Sequence, residues 1–231
     1  MLRRLTQRLL EALPSQCAVC HAWPTQAVCE ACITRFAQPQ TRCRTCALQV
    51  ALGVQQCSVC VRTPPPLDLC LAAVSYAFPW SDLIVNYKFY NHPGRASAFA
   101  LLLRSTPWVE PALEAADWVL PLPLSPQRLK TRGYNQALLL AQRLTVEKTD
   151  PHLLRRVKDT PPQSSLERSA RLDNVRHAFA VPPHCAARLR DARLVLVDDV
   201  MTSGASLYTA AHVLRAAGAA HITGLVIART E

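Results

Sequence analysis

The feature that most constrains this 231-residue chain is a short segment near its carboxyl end, residues 194–206, which reads LVLVDDVMTSGAS. Four consecutive apolar residues predict a buried strand, and that strand runs directly into Asp198 and Asp199. A loop of small residues follows, and the pattern after it is typical of a helix. In this order, loop N–H groups and the positive end of the helix dipole converge on one place, where an anion can bind. The segment therefore predicts a phosphate site at the carboxyl end of a strand in an α/β sheet.

The side chains of this segment fit the same ligand class. Gly204 permits close approach of the backbone to a phosphate, and three hydroxyl groups add hydrogen-bond donors. These hydroxyls belong to Thr202, Ser203 and Ser206. Two adjacent carboxylates, Asp198 and Asp199, suit the two hydroxyls of a ribose and are ligands that magnesium favours. The predicted ligand is therefore a sugar phosphate.

The second half of the chain alternates strand and helix patterns. Strands are predicted at residues 71–78, 118–124, 193–200 and 221–229. Helices are predicted at residues 80–105 with a break at 91–94, at 134–147, and at 206–218, where Gly218 closes the helix. This alternation predicts an α/β fold with a mostly parallel sheet and flanking helices.

The first 60 residues carry eight of the ten cysteines, as four CxxC pairs. The pairs are Cys17/Cys20, Cys29/Cys32, Cys43/Cys46 and Cys57/Cys60. One CxxC turn brings two thiolates to the same metal, and two turns complete a tetrahedral zinc site without an open position. Two structural zinc sites are therefore favoured over disulfides, over redox motifs and over iron–sulfur ligation.

Sequential pairing is preferred, with one site at 17/20/29/32 and the other at 43/46/57/60. The first pair of each set resembles a turn, and the second pair is placed to open a short helix. Crossed pairing and a single occupied site stay open. Cys70 and Cys185 are predicted to be buried free thiols, and His21 a polar surface residue.

The run Pro64-Pro65-Pro66 predicts a stiff connector, so we expect a double zinc-ribbon-like module with an N-terminal helix at 1–66 and an α/β domain at 67–231. Residues 1–14 predict an amphipathic helix; a signal peptide is disfavoured because Glu11 interrupts the leucines. No apolar run reaches the roughly 18 residues of a membrane span, and we expect a cytoplasmic protein. The formal charge of +10 favours anionic partners, although eight thiolates holding two zinc ions would reduce it to about +6.

Residues 194–206 closely resemble the phosphoribosyl-pyrophosphate (PRPP) motif of type I phosphoribosyltransferases. The resemblance implies a type I phosphoribosyltransferase-like fold for the domain at 67–231. The wider chain resembles the ComF family, which includes competence-associated ComF proteins and GntX-type proteins. Further motifs that carry this resemblance over nearly the whole chain are the CxxC-rich start, NYKF at 86–89, PLPL at 121–124, RGYNQA at 132–137, and the spacing of Thr160, Gln163, Leu166, Arg171, Asn174, Ala178 and Phe179. One departure is visible at residues 90–94, where the family is expected to carry a more acidic turn, so the role of the Lys88 turn stays open.

The resemblance implies that Asp198 and Asp199 form the catalytic acidic pair and contact the ribose hydroxyls of PRPP. It implies that the 5′-phosphate is held by Met201, Thr202, Ser203, Gly204, Ala205 and Ser206. The loop after the strand at 118–124 then becomes the expected pyrophosphate loop, with Arg128, Lys130 and Arg132 as its cations. A basic surface turn is the alternative for these three residues.

The family resemblance also implies a mobile loop before the PRPP strand. Its candidate cations are Arg155, Arg156, Lys158 and Arg168. A solvated basic loop without a catalytic part is the alternative.

Two functions follow from these patterns. The first is a PRPP- and magnesium-dependent transfer of phosphoribosyl to a nitrogen acceptor, a reaction of the pentosyltransferase class, whose acceptor the sequence does not name. The second is a non-catalytic protein that handles single-stranded DNA with competence proteins, which the ComF resemblance implies. In that case Arg35, Arg42, Arg44 and Arg62 of the cysteine module would contact DNA phosphates.

Overall fold

The computed structural model describes residues 15–90, 92–157 and 178–231. The chain divides into two compact units, Met1–Gln38 and Pro39–Glu231. The helix predicted at the amino terminus, Asn91, and the predicted loop cations Lys158 and Arg168 lie outside the described residues. So do Thr160, Gln163, Leu166, Arg171 and Asn174.

The described part of the first unit is small and is organised around its cysteines. Ser15 and Thr25 exchange backbone hydrogen bonds of 2.7 and 2.8 Å in an isolated bridge. Helix α1 (Glu30–Phe36) begins immediately after Cys29. The predicted opening of a short helix at the second CxxC pair is therefore confirmed.

The second unit contains the remaining helices and strands. Its helices are α2 (Ser58–Arg62), α3 (Trp80–Phe89), α4 (Arg95–Arg104), α5 (Val109–Ala115), α6 (Pro126–Arg132), α7 (Gln136–Leu144) and α8 (Ala205–Ala216), with a 3-10 helix at Pro183–Leu189. Its strands are β1 (Leu69–Ser75), β2 (Trp118–Pro121), β3 (Arg155–Arg156), β4 (Phe179–Ala180), β5 (Arg193–Met201) and β6 (His221–Arg229).

Four strands form a parallel sheet in the order β1-β6-β5-β2. Leu194 and Leu196 of β5 pack in one buried cluster with Ala210 and Leu214 of α8. The alternate β5 residues, such as Val195, are also buried. Both faces of the sheet are therefore covered, as parallel sheets require. The predicted α/β class with a parallel sheet and flanking helices is confirmed.

Strand β2 ends at a proline. The predicted strand at 118–124 stops at Pro121, although Leu122 still donates a 2.8 Å backbone bond to Val197. Pro123 has no N–H group with which to continue the ladder.

The first strand was predicted at 71–78 and runs instead from Leu69 to Ser75. The helix predicted at 80–105 with a break is observed as α3 and α4.

Two segments predicted as loops are regular structure. The loop expected after β2 contains α6, because the Ser125 hydroxyl accepts a 3.3 Å bond from the Arg128 amide and Pro126 occupies the first turn. Residues Arg155–Arg156 form β3, which pairs antiparallel with Phe179–Ala180. The prediction of a loop is therefore wrong for these two arginines.

The second cysteine cluster lies in the same compact unit as the sheet. Cys43, Cys46 and Ala47 belong to one buried cluster with Leu67 and residues of the sheet. The compact units thus divide at Gln38, whereas a domain boundary after Pro66 stays a prediction. Across the described ranges, no helix has the length and apolar composition that crossing a membrane needs.

Candidate functional site

The acidic pair lies where the sequence predicts it, near the carboxyl end of β5. Asp198 Oδ1 accepts a 2.8 Å hydrogen bond from the Asp199 amide, and Asp199 Oδ1 accepts a 2.7 Å bond from the Val200 amide. Because each carboxylate is bound by the next residue's N–H, both side chains have a fixed orientation. Asp199 is buried, and Asp198 keeps some exposed surface.

The loop after β5 is shaped by Gly204, which caps the amino end of α8 in a left-handed conformation with φ of 81°. A Cβ at this position would lie 2.6 Å from the Met201 methyl and 2.6 Å from the Tyr208 ring. Only glycine satisfies both the conformation and the space. The Ser203 hydroxyl accepts a 3.4 Å bond from the Ala205 amide. Gly204 therefore sets the direction in which the loop enters the twelve-residue helix α8, and anion binding by this loop stays a prediction.

Lys88 is the residue whose role the sequence left open, and the structure brings it to the acidic pair. It lies in the last turn of α3, and its Nζ is 2.8 Å from Asp199 Oδ1. The Lys88 and Asp199 side chains are only 19% and 8% exposed, so little solvent separates or screens the pair. The ammonium group compensates one of two adjacent negative charges.

Asp198, the other carboxylate of the pair, has a raised pKa. Burial and the neighbouring Asp199 carboxylate raise the pKa of Asp198 to about 8, against the opposing effect of Lys88. Two carboxylates this close do not ionise independently, because each disfavours the charged form of the other. The pair therefore changes protonation near neutral pH, where a bound cation would displace the proton.

The RGYNQA segment at residues 132–137 supports the lysine turn. Gly133 ends α6 with φ of 76°, and the Tyr134 hydroxyl donates to the backbone oxygen of Tyr87. The Gln136 side chain, which is 1% exposed, donates a 3.3 Å bond to the backbone oxygen of Lys88. The segment thus fixes the last turn of α3 from two directions and holds Lys88 against Asp199.

Asn135 has a second supporting role in the same segment. Its Oδ1 accepts a 3.2 Å bond from the Leu138 amide and so caps α7, while its Nδ2 donates a 3.1 Å bond to the Leu122 oxygen. The chain that leaves β2 is thereby tied to α7. This leaves the carboxyl end of β2 beside that of β5, where ligands bind in parallel sheets.

The three predicted pyrophosphate cations lie on or at the end of α6, which follows β2. The Arg132 guanidinium lies 5.0 Å from the centre of the Phe89 ring and donates a 3.3 Å bond to Gln136 Oε1. Lys130 is exposed, and Arg128 is half-buried. Contact of these three residues with a pyrophosphate stays a prediction.

Among the described residues, two sets of four cysteines bring their sulfur atoms within 4.8 Å of one another. The sets are Cys17, Cys20, Cys29 and Cys32, and Cys43, Cys46, Cys57 and Cys60. Sequential pairing is therefore confirmed. The sulfur–sulfur distances of 3.8 Å for Cys17–Cys32, 3.6 Å for Cys20–Cys29 and 3.7 Å for Cys46–Cys57 match the roughly 3.8 Å edge of a tetrahedron with zinc–sulfur bonds of about 2.3 Å.

The two clusters repeat the same local design. The Cys29 amide donates a 3.3 Å bond to Cys17 Sγ, and the Cys57 amide donates a 3.3 Å bond to Cys43 Sγ. Four residues after the leading cysteine, His21 and Ala47 both adopt positive φ, at 60° and 55°. His21 is exposed and lies outside both sets of clustered sulfurs.

The pKa of the leading cysteine shows what the clusters can hold. Burial alone would raise the pKa of Cys17, but hydrogen bonds from the backbone of Cys20, Cys29 and Val19 lower it to about 6. The same balance of burial against backbone hydrogen bonds lowers the pKa of Cys43 to about 6. Burial and the neighbouring cysteines raise the pKa of Cys32 and Cys46, so four thiolates need a cation to balance their charge. The four clustered sulfur atoms of each set fit zinc.

The two remaining cysteines are buried free thiols, as predicted. Both Cys70 and Cys185 are 3% exposed, and burial raises the pKa of Cys70 to about 12. Of the arginines predicted to contact DNA, Arg42 has a structural role instead. Its guanidinium donates to the Ala47 oxygen, the Ser75 hydroxyl and the Glu231 carboxylate at 2.8 to 2.9 Å.

The sequence interpretation missed one further residue at this site, Arg229. It ends β6 and is 8% exposed. Its guanidinium donates to the backbone oxygens of Met201 at 3.2 Å and Thr202 at 2.6 Å. An arginine that ends an otherwise apolar central strand is the signal that could have identified it.

The chain is similar over most of its length to several bacterial proteins, although no protein-family model matches it. It is 29% identical to the DNA utilization protein YhgH of Escherichia coli K12 and of Salmonella typhimurium, over 94% of this chain and 98% of each relative. It is 32% identical to Competence protein F of Haemophilus influenzae, over 81% of this chain and 84% of that protein. With this identity and coverage, the chain belongs to the ComF family of competence protein F and its homologues.

Proposed function

We propose that this protein binds PRPP with magnesium at the carboxyl end of β5 and transfers its phosphoribosyl group to a nitrogen acceptor. The observation that carries the proposal is one arrangement of three parts. The paired carboxylates of Asp198 and Asp199 lie near the carboxyl end of a central strand, the Gly204 loop follows that strand and enters α8, and Lys88 Nζ lies 2.8 Å from Asp199 Oδ1. A ribose 5-phosphate group needs acceptors for its two hydroxyls and donors for its phosphate, and residues 198–206 offer both groups in one segment.

Each part has a role in the proposed complex. Amides and hydroxyls of residues 201–206 bind the 5′-phosphate, and Asp198 and Asp199 accept hydrogen bonds from the ribose hydroxyls. Arg128, Lys130 and Arg132 bind the pyrophosphate, which carries the largest charge of the ligand. Lys88 limits the repulsion between the acidic pair and an anionic ligand.

In the proposed reaction, the bond between the sugar C1 and the pyrophosphate oxygen breaks, and a bond forms between C1 and the acceptor nitrogen. Pyrophosphate leaves with the electron pair of the broken bond, and the acceptor nitrogen loses its proton to solvent water. Magnesium bound with PRPP supplies charge neutralisation for the departing pyrophosphate. The chain's own residues fix the sugar and stabilise the developing negative charge, so no covalent intermediate on the protein is required.

We also propose that both cysteine clusters hold zinc and that this zinc is structural. Four sulfur ligands per cluster leave no open coordination position for substrate or water. The lowered pKa values of Cys17 and Cys43 support thiolate ligation.

The test of PRPP binding is a calorimetric titration of the zinc-loaded protein with PRPP and magnesium. We expect saturable binding that is lost in the double variant Asp198→Asn/Asp199→Asn. Asp191→Asn is the matched control: Asp191 precedes β5 at its opposite end with φ of 58°, a conformation that asparagine also accepts. A wild-type protein that shows no PRPP binding contradicts the proposal.

A second function, the handling of single-stranded DNA, is favoured by two relatives, a DNA utilization protein and a competence protein. Arg44 and Arg62 of the second cysteine cluster are exposed and would bind DNA phosphates. Fluorescence anisotropy with a labelled oligonucleotide tests this role. Affinity should fall steeply between about 50 and 200 mM salt, and Arg44→Gln/Arg62→Gln should reduce that salt dependence. Absence of binding at low salt contradicts it.

A further inference from the structure

Arg229 contacts two parts of the second unit. One is the second cysteine cluster, Cys43, Cys46, Cys57 and Cys60, and the other is the loop at residues 201–206, called the phosphate loop below. Its Nε donates a 2.9 Å hydrogen bond to the backbone oxygen of Cys46, a member of that cluster. Its Nη1 donates to the backbone oxygens of Met201, Thr202 and Thr230. One guanidinium thus binds a metal-cluster residue on one side and the first residues of the loop on the other.

The chemistry of the guanidinium makes this connection stiff. Arg229 is 8% exposed, and a buried cation is tolerated only when its donors are satisfied. The donors are held in a planar fork, so the carbonyl groups that accept from it are fixed relative to one another. If Cys46 shifts, the fork cannot follow it and still donate in line to Met201 and Thr202.

Neighbouring contacts reinforce the same connection. Cys70 Sγ lies 3.6 Å from Met201 Sδ, and the Cys70 amide donates a 2.7 Å bond to the oxygen of Arg44, between the first two ligands of the cluster. Cys43, Cys46 and Cys60 belong to one buried cluster with Met201 and Ala205. The cluster and the loop therefore share a packed core as well as one arginine.

We propose that Arg229 is a positioning residue through which metal loading of the second cysteine cluster sets the geometry of the phosphate loop. With zinc bound, Cys46 is fixed and Arg229 holds the carbonyl groups of Met201 and Thr202, so that the following amides face the phosphate. Without zinc at this cluster, the Cys46 end of the connection is released and affinity for the phosphate group falls. By thermodynamic linkage, a ligand in the loop must in turn tighten zinc binding at the second cluster. The inference rests on the proposed function, because PRPP is the ligand whose affinity is measured.

The experiment measures the equilibrium partition of zinc between the full-length protein and a zinc-selective chelator, with and without saturating PRPP and magnesium. In the wild-type protein we expect PRPP to raise the zinc affinity of one of the two sites by at least tenfold, which protects that zinc from the chelator. The variant Cys17→Ser/Cys20→Ser lacks the cluster of the other compact unit, and its remaining zinc should be the one that PRPP protects. Protection of the other zinc instead, or of neither zinc while PRPP binds, overturns the inference.

Arg229→Met tests the arginine itself, because methionine keeps an unbranched apolar side chain and removes every donor. We expect two zinc equivalents per chain, PRPP affinity reduced at least tenfold, and loss of the ligand-dependent protection. Arg215→Met is the matched control, since Arg215 also donates to backbone oxygens, those of Ala219 and Ala220, at the far end of α8. Wild-type affinity and protection in Arg229→Met would overturn the inference.

Two further measurements keep the outcomes separate. If Arg229→Met does not fold, Arg229→Lys retains the charge without the planar fork and should show the same loss of protection. If the wild-type protein does not bind PRPP, the proposed function fails. The role of Arg229 is then tested without any ligand, by amide hydrogen exchange of residues 202–205. Exchange should be faster in the arginine variants than in the wild type and the Arg215→Met control; unchanged exchange overturns the inference.

Discussion

Replacing Gly204 by alanine should destabilise the protein through two separable effects. The left-handed backbone, with φ of 81°, costs an alanine about 1–2 kcal/mol. The new Cβ would lie 2.6 Å from the Met201 methyl and from the Tyr208 ring, and overpacking of this kind costs about 1–3 kcal/mol. The methyl can swing aside, but the Tyr208 ring is packed against the core and resists. The reduced entropy of the unfolded chain offsets about 0.4–1 kcal/mol, which leaves a net loss of about 1–4.5 kcal/mol, near 3 kcal/mol at the middle of each range.

Gly53→Ala is the matched control, because Gly53 has nearly the same φ of 83° and no atom within 4 Å of a built Cβ. It has the backbone cost without the collision, so we expect a loss of about 1 kcal/mol. The two variants are compared by the free energy of unfolding, measured in urea on zinc-loaded protein. The comparison requires that the slope of this free energy against urea concentration is the same in each variant. PRPP affinity should fall at least tenfold in Gly204→Ala and stay unchanged in Gly53→Ala. Equal losses of stability in both variants would refute the reasoning.

Three other perturbations test other parts of the site. In a double-mutant cycle of Lys88→Met and Asp199→Asn, unfolding in urea should give a coupling energy of about 1–3 kcal/mol, because the ion pair is largely buried. Additive effects of the two substitutions on stability would argue against the ion pair. Folding raises the pKa of Asp198 to about 8 from an unfolded value of about 3.9, so the native state holds an extra proton between these values and stability falls as pH rises through that window. Asp198→Asn should therefore gain stability relative to wild type between about pH 5 and pH 8 in thermal melts, and a pH-independent difference would contradict the shift. Metal analysis should find two zinc equivalents in the wild type and in Cys70→Ala, and one in Cys17→Ser/Cys20→Ser; a loss of zinc in Cys70→Ala would mean that this buried thiol is a ligand.

The strands and helices of the second half follow from local patterns. The apolar run of β5 is buried on both sides, so its composition alone marks it as a central parallel strand. The sequential pairing of the cysteines was also predictable, because turn and helix-start pairs alternate along the chain. Local signals of this kind do not depend on distant contacts.

The parts that were missed depend on contacts between distant residues. Lys88 meets Asp199 across 111 positions of the sequence, and only the packing of α3 on the sheet brings them to 2.8 Å. Arg229 meets Cys46 across 183 positions for the same reason. Ser125 and Pro126 form a typical start of a helix, so α6 could have been predicted from the sequence. The resemblance implied a pyrophosphate loop at this place instead.

The most direct test of the proposed function is a crystal structure of the zinc-loaded protein soaked with PRPP and magnesium. We predict that the 5′-phosphate receives hydrogen bonds from residues 201–206, that the ribose hydroxyls lie on Asp198 and Asp199, and that the pyrophosphate faces α6. The same structure would show the acceptor pocket beside C1. A phosphate bound elsewhere, or a β5 loop that stays without ligand at saturating PRPP, would contradict a phosphoribosyl site at the carboxyl end of β5.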